Sequence, residues 1–499
     1  MSELVRDAAG VLARLDALRA ADPPTHGGHV LSYVYDSGLA ALDELAAAAI
    51  RAVQPVNGLD PTTFGSVAVL EAELVGFVRE LLHGDEEVVG SVTTGGTESC
   101  LLAVKTAREV WRAAHPHGVP RLVAPSTVHA AFQKAAAYFG LDLDLVPVGS
   151  DGAVAAADVV ARLGDDVALV VLSAPNYPFA ALDPVGAVAS ACAAHGIPLH
   201  VDACIGGLVL PFWTDAAGAP LPDWDFRVPG VTSVSADLHK FGYAPKGASV
   251  LLQRGRDRQR HQFFATTRWP GYPVVNPTIL GSKSAGPLAA AWAITQALGV
   301  DGFAALATSC ARSTARLREA IDGIEGLRVV GEPVGPLLAV AADERVPADR
   351  RVDPHHWADA VRAHGFVLQL QPALAQPGGA ALPATTHLTI TPVTESVLAP
   401  LTAALVAGAD AVRGTPHVDG AALLAQLPPL GPVAAALDAD ALDADTAWAL
   451  LQGFGIGGGA ELPDAQAPLV ALIETLPAPL AERLLVELLG RLVEPRPAR

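Results

Sequence analysis

A chain of 499 residues, 51% of them apolar and 17% charged, carries enough apolar surface for more than one buried core and is not a disordered polymer. Its 52 acidic and 33 basic side chains leave a formal charge of -19, which repels phosphate backbones and argues against a nucleic-acid partner. The four cysteines, Cys100, Cys192, Cys204 and Cys310, form no Cys-x-x-Cys pair and have no histidine cluster beside them. They read as free thiols of a reducing, cytoplasmic compartment, and no metal site is expected. The first twenty residues carry charges throughout, unlike a secretory leader. No run of about 20 uninterrupted apolar residues predicts a membrane span.

Residues 3–20 have apolar positions at helical spacing, and residues 39–53 repeat the pattern after a Gly- and Pro-rich loop through His26-Gly27-Gly28. Residues 1–55 therefore read as an N-terminal helical arm. From there to about residue 300, helical stretches alternate with short apolar runs. The strand candidates are Leu122-Val123, Val167 to Leu172, Leu199 to Val201, Val231 to Val234 and Ala248 to Leu252. That alternation predicts an α/β domain over 56–300 with a mostly parallel central sheet.

One unit can be followed closely. After the strand at 167–172, Asp183-Pro184 offers a helix N-cap with proline at the first helical position. The helix runs to about His195, where Gly196 ends it. Leu199-His200-Val201 is the next strand, and Asp202 stands at its carboxyl end, where open α/β sheets bind ligands. Ala285 to Val300 reads as a buried helix and Phe303 to Ile321 as another. Strand-like runs at 327–330, 337–341, 366–371 and 387–391, with a helix near 355–364, predict a smaller α+β domain over 301–412. Residues 413–499, with helical pieces near 436–453 and 478–493, read as a helical C-terminal appendage.

Four features carry chemistry. In TTGGTES (Thr93 to Ser99), Gly95 and Gly96 precede a helix marked by Leu101, Val104, Ala107 and Trp111. Backbone N–H groups and the positive dipole end there suit a phosphate, although a lone Gly-Gly turn would look the same. His129 follows a strand at the start of a helix, where a capping role is the plain alternative. Asp202 also has a plain alternative, as a turn residue. Lys240 ends VSADLHK at a strand terminus, where a solvated lysine is the plain alternative; buried beside cations, part of them His239 and Lys246, its pKa would fall and it would become a nucleophile toward aldehydes. Together, a phosphate cradle, a ring to stack, a carboxylate and a lysine are the parts that pyridoxal phosphate needs.

Here the sequence resembles the sphingosine-1-phosphate lyase branch of the group II pyridoxal-phosphate-dependent decarboxylases. The matching stretches are TTGGTESCLLAVKTARE, VAPSTVHAAFQKAAAYFG, HVDACIGGLVLPF, DFRVPGVTSVSADLHKFGYAPKG and NPTILGSKSAG, with thinner similarity through GFVLQLQP and THLTITP. SADLHKFGYAPKG is the most specific, because ordinary decarboxylases of the group usually lack the Ala-Pro-Lys-Gly.

The resemblance implies the aspartate aminotransferase fold (fold type I) and a role for each matching residue. Gly96 and Thr97 bind the cofactor phosphate, His129 stacks on the ring, and Asp202 partners the pyridine nitrogen. Lys240 forms the Schiff base, and His239 contacts the phosphate. Ser282 reaches the cofactor of a second subunit, which implies a homodimer. Lys246 and Tyr35 face a small-molecule amine substrate. Departures are VLSYVYDSG around Tyr35 and Pro178-Phe179-Ala180 after the proline turn. The last 85 or so residues show no similarity.

Three readings follow. The first is a lyase cutting Cα–Cβ of a phosphorylated amino alcohol by retro-aldol chemistry, which Ala-Pro-Lys-Gly places ahead. The second is an amino-acid α-decarboxylase using the same cofactor residues. The third is a non-catalytic binding protein, which the complete set of cofactor residues places last.

Overall fold

The computed structural model describes residues 7–425, 442–453, 456 and 465–495. Seven strands form the central sheet: β1 (Val88–Thr93), β2 (Arg121–Pro125), β3 (Asp142–Val146), β4 (Val167–Ser173), β5 (Leu199–Asp202), β6 (Val231–Ala236) and β7 (Ser249–Arg254). They lie in the order β1-β7-β6-β5-β4-β2-β3. The pairs from β3 through β6 are parallel, and β7 runs antiparallel to both its neighbours. The reason for the reversal is local. Residues 237–248 join β6 to β7 without a helix, whereas a parallel return needs a long crossover. This is the mostly parallel sheet of the fold expected from sequence.

β4 shows why the sheet is central: VALVVLS is buried at every position, as a strand covered on both faces must be. Two strands of this sheet escaped the sequence reading. β1 (VVGSVT) is interrupted by Gly90, where a Cβ would lie 2.8 Å from the carbonyl oxygen of Leu251 on β7. β3 (DLDLV) is an edge strand whose alternating aspartates hide its apolar face. Asp144 there is held by Arg121 at 2.6 Å and Arg162 at 2.7 Å.

The helices are α1 (Ala8–Arg19), α2 (Ala40–Ala52), α3 (Gly65–Leu81), α4 (Gly96–Ala114), α5 (Ala130–Phe139), α6 (Ala156–Val160), α7 (Val185–Ala194) and α8 (Arg256–Gln259). Of the N-terminal helix expected over 3–20, residues 3–6 lie outside the described residues. On one face of the sheet, Cys100, Leu101, Val104 and Ala107 of α4 pack with Phe132 and Ala135 of α5. The larger core on the other face includes α3, α7 and the next long helix. At α7 the expected cap is corrected. Pro184, not Asp183, holds the cap position, without a side-chain hydrogen bond. The buried Asp183 instead accepts from the Ser173 N–H at 2.7 Å, and burial pushes its carboxyl up to about 7. Gly196 does follow the helix, at φ +67°.

The helices expected at 285–300 and 303–321 join as α9 (Gly286–Asp322), broken at Gly299 (φ 57°, ψ -174°). A two-stranded hairpin, β8 (Phe264–Thr266) and β9 (Val274–Asn276), precedes it. Beyond it lies a four-stranded antiparallel sheet of β10 (Leu327–Val329), β11 (Leu337–Ala342), β12 (Gln369–Gln371) and β13 (Thr385–Thr389). Helices α10 (Pro354–Arg362) and α11 (Leu398–Val412) pack on it. The tail contains α12 (Gly420–Ala425), α13 (Ala444–Gly453), α14 (Ala467–Thr475) and α15 (Ala478–Leu492). Residues 436–441 of the first expected tail helix lie outside the described residues.

Two helical segments, Gly286–Asp322 and Pro392–Val412, have the length and apolarity of a membrane span. Within the fold they contribute Leu288, Ala290 and Ile294, and Leu401 and Leu405, to buried cores.

The smaller core turns on Trp357, which is 0% exposed and donates its indole N–H to the Leu405 carbonyl at 2.9 Å. Trp357→Ala should lose roughly 3–5 kcal/mol through the cavity it leaves. Urea denaturation followed by circular dichroism checks this, and a loss under about 1 kcal/mol would mean that the site collapses.

Candidate active site

β1, β4, β5 and β6 run in one direction, so their carboxyl ends meet at one edge of the sheet. A cavity of about 840 Å³ opens there. The structure brings Tyr35, Gly96, Thr97, His129, Asp202, His239, Lys240 and Lys246 into its lining. Ser282 does not line it. That residue is exposed, 3.4 Å from the Asn57 amide nitrogen.

At the end of β1 the chain turns into α4 through Gly95, whose φ of +145° few L-residues adopt. Gly95 is the N-cap and provides no side-chain cap, so first-turn N–H groups of α4 face the cavity side without that partner. Gly96 has a different reason. A Cβ there would stand 2.5 Å from Oδ2 of Asp237. Glu98, which sequence reasoning passed over, fixes this turn. Its Oε2 accepts from the Thr94 N–H and hydroxyl at 2.7 and 2.8 Å, and its Oε1 accepts from the Ile279 N–H at 2.7 Å.

His129 is the N-cap of α5, accepting the Ala131 N–H on Nδ1 at 3.2 Å, while its ring lines the cavity. It therefore caps and faces the ligand space at once. That bond leaves Nε2 as the protonated nitrogen of the neutral ring. Asp202 is buried, with Oδ1 accepting from the Cys204 N–H at 3.0 Å.

Lys240 departs from the expectation. Its Nζ lies 3.0 Å from Oδ2 of Asp237, and Nε2 of His239 lies 3.5 Å from the same oxygen. Burial pulls the Lys240 ammonium down, but Asp237, with Tyr35, Cys204 and Asp202, overrides it and holds the pKa well above the ordinary lysine value. The depression expected from His239 and Lys246 is thus reversed. Asp237 itself would be raised by burial, but Lys240 and His239 keep it below the usual carboxylate value. The sequence signal was available, since Asp237 stands one turn before Lys240.

Lys246 lies at the mouth. Its Nζ sits 4.6 Å from the centroid of the Tyr35 ring and donates to the His239 carbonyl at 3.2 Å. Burial, and then repulsion by Lys240, lower its pKa to about 8, so it stays mostly charged at neutral pH. Burial pushes the Tyr35 phenol up to about 12, which keeps it a hydrogen-bond donor.

These residues fit pyridoxal phosphate. The α4 terminus with two glycines suits its phosphate, His129 offers a ring face, and Asp202 is a carboxylate for its pyridine nitrogen. Lys240 is an amine for its aldehyde. The other oxygen of Asp237, Oδ1, is buried with no hydrogen-bond partner among the described residues, so the pocket holds polar capacity beyond its own contacts.

Removing the Asp237 charge should leave burial dominant at Lys240 and lower its pKa. In Asp237→Asn, the free amine then forms at lower pH. The pH profile of cofactor reloading into the apoprotein should shift to the acid side. A profile that stays in place would show that Asp237 does not control Lys240.

Comparison with known proteins agrees with this geometry. The pyridoxal-dependent decarboxylase conserved domain matches residues 39–340. A second family model, a C-terminal HTH domain of pyridoxal-dependent enzymes, matches residues 421–491, where sequence reading found no similarity. Sphingosine-1-phosphate lyase of Oryza sativa is 38% identical over 292 residues, 58% of this chain and 54% of that protein. Sphingosine-1-phosphate lyase 1 of Rattus norvegicus is 36% identical over 339 residues, 67% of this chain and 59% of that protein. The chain therefore spans less than two thirds of the length of these curated relatives.

Among solved structures, a sphingosine-1-phosphate lyase of Burkholderia pseudomallei matches with TM-score 0.74 and 31% identity, over 85% of this chain and 94% of that one. A Lactobacillus brevis glutamate decarboxylase shares the fold at TM-score 0.71 and 18% identity, over 83% and 94%. With its conserved domain matched over more than half its length, and a pocket built for the cofactor, the chain belongs to the pyridoxal-dependent decarboxylase family.

Proposed function

We propose that the protein is a carbon–carbon lyase that cuts Cα–Cβ of a phosphorylated amino alcohol. The observation that carries this reading is Lys246, an ammonium seated on the Tyr35 ring at the cavity mouth. Lys134 also lines the cavity and adds a second cation. Two lysines near the entrance suit a substrate phosphate, separately from the α4 terminus that suits the cofactor's own.

Bound pyridoxal phosphate supplies the electron sink for a bond broken at the amine-bearing carbon. Lys240 would hold the cofactor through Nζ. Asp202 holds the proton on the pyridine nitrogen. His129 orients the ring, and Thr97 and His239 hold the cofactor phosphate with Gly96. In the overall reaction the β-hydroxyl gives up its proton and becomes an aldehyde, while Cα gains a proton and leaves as a shortened phosphorylated amine. The three proteins named above as sphingosine-1-phosphate lyases support this choice over α-decarboxylation.

We further infer a homodimer in which Ser282 reaches the partner's cofactor, in keeping with its position outside the cavity of its own chain. We place the protein in the cytoplasm, where four free, buried cysteines stay reduced. A small-molecule amine, not nucleic acid, is the partner this reading takes. Residues 421–491 contain nine acidic side chains and two arginines, Arg483 and Arg491. Both arginines are tied to Glu487, leaving little positive surface for a phosphate backbone.

Mass spectrometry of products from a panel of amino acids and phosphorylated amino alcohols tests the reaction. An aldehyde with a shortened phosphorylated amine is expected. Carbon dioxide would mark a decarboxylase, and no product from any substrate would mark a binding protein.

Lys246→Ala should lower kcat/KM for a phosphorylated substrate by roughly one to two decades more than for its unphosphorylated analogue, since a charge-assisted contact contributes about 1.5–3 kcal/mol. Cofactor content should change little. An unchanged ratio would remove the phosphate reading. For the dimer, mixing inactive Lys240→Ala with inactive Ser282→Trp should restore part of the activity. A fully active monomer in the ultracentrifuge would overturn the shared site.

A further inference from the structure

Away from the cavity, two histidines and two carboxylates meet where α10 faces the tail. His417 follows α11. Its Nδ1 lies 2.7 Å from Oδ2 of Asp353, and its Nε2 lies 2.8 Å from Oε2 of Glu474 on α14. His355, in the first turn of α10, is 0% exposed, and its Nε2 lies 2.9 Å from the Gln371 carbonyl oxygen. A carbonyl only accepts, so Nε2 carries the hydrogen and Nδ1 presents a lone pair. That Nδ1 is buried with no hydrogen-bond partner among the described residues. Buried acceptors of this kind are uncommon and call for an explanation. One ligand-capable atom from each of His355, His417 and Glu474 lies within 4.8 Å of the other two.

We propose that His355 Nδ1, His417 Nε2 and a Glu474 oxygen bind a divalent transition metal of the zinc type. Two imidazoles and one carboxylate suit such an ion, whereas calcium and magnesium favour all-oxygen shells. Both rings already have the support that metal-bound histidines use. Asp353 receives the Nδ1–H of His417, and the Gln371 carbonyl receives the Nε2–H of His355. The ion would meet the free lone pair of His355 Nδ1 and replace the proton now shared between His417 Nε2 and Glu474 Oε2. Three protein donors leave a fourth position for water. The ion would join the tail to the smaller domain, because the other Glu474 oxygen, Oε1, already accepts from the Ala373 N–H at 2.7 Å beyond β12.

A second group, Cys100, Asp202 and Cys204, also brings three ligand-capable atoms within 4.8 Å. It belongs to the cofactor cavity, and its sulfurs give it a distinct signature. That makes it the internal control.

The test uses the full chain with its cofactor, freed of metal by a chelator and titrated with Co²⁺ alone and then with Zn²⁺ alone. The expected result is one equivalent bound, with visible Co²⁺ bands and no thiolate-to-cobalt charge transfer. His355→Phe and His417→Gln should each weaken binding by at least about tenfold. Glu474→Gln is the milder variant, since its amide oxygen still accepts from Ala373, and it should weaken binding too. Cys204→Ser should leave binding unchanged. Circular dichroism confirms that each variant is folded, and Glu474→Gln decides the question if a histidine variant is not. No bound Co²⁺ or Zn²⁺, a thiolate band lost in Cys204→Ser, or wild-type affinity in folded Glu474→Gln and His355→Phe would each overturn the site.

Discussion

A carboxylate buried at the end of a strand is unfavourable by several kcal/mol unless a cation joins it, and at the end of β6 that cation is Lys240. The Asp237–Lys240 pair sets the terms for its neighbours. Gly96 has no side chain where Asp237 needs the space, so the first turn of α4 approaches the pair closely. Behind it, Ser99 of α4 lies 2.8 Å from the Thr93 hydroxyl of β1 and 2.9 Å from the Ser249 hydroxyl of β7. Ser249 in turn donates to the Ala236 carbonyl at the end of β6. This buried hydroxyl chain holds β1, α4, β6 and β7 in register. The first turn of α4 and the Lys240 amine are therefore positioned by the same packing.

The pair also makes Lys240 a protected ammonium in the protein as folded. Bond formation to an aldehyde needs the neutral amine, so a cofactor aldehyde would load only once Lys240 had lost its proton. His239 stands 3.5 Å from the same Asp237 oxygen, and its pKa is lowered, first by burial. It is thus neutral near pH 7 and leaves Asp237 to Lys240. The acidic side chains lining the pocket are Glu98, Asp202 and Asp237, and its lysines are Lys134, Lys240 and Lys246. A dianionic phosphate needs the α4 terminus in addition.

The sheet and the motif residues were legible in sequence because glycines, a histidine, an aspartate and a lysine at strand ends are local signals. Gly96, His129, Asp202 and Lys240 each sit at a boundary that the hydrophobic pattern marks. What was missed depends on tertiary packing. β1 hides behind a glycine that admits β7, and Asp237 reads as an ordinary turn residue until Lys240 is seen against it. The Lys240 pKa was misjudged for the same reason, since the cations nearest in sequence were weighed and the buried anion was not. The histidine–carboxylate cluster is less visible still, since His417 lies 64 positions after Asp353 and Glu474 lies 57 positions after His417.

The short strand β12 connects these separate features. Gln369 lines the cavity, accepting the Tyr177 hydroxyl and donating to the Tyr33 hydroxyl, both at 2.7 Å. Two residues on, the Gln371 carbonyl fixes the ring of His355. Tyr33 holds its contact at φ +59°, a conformation that costs a non-glycine residue about 1–2 kcal/mol. The chain before it is clamped by Leu31, which donates to the Val367 carbonyl at 2.9 Å and accepts from the Thr389 N–H at 2.7 Å. The segment that carries Tyr35 to the cavity is thereby attached to the smaller sheet. Gln369 and Gln371 are the two ends of one three-residue strand, so the cavity lining and the contact that orients His355 share a single element.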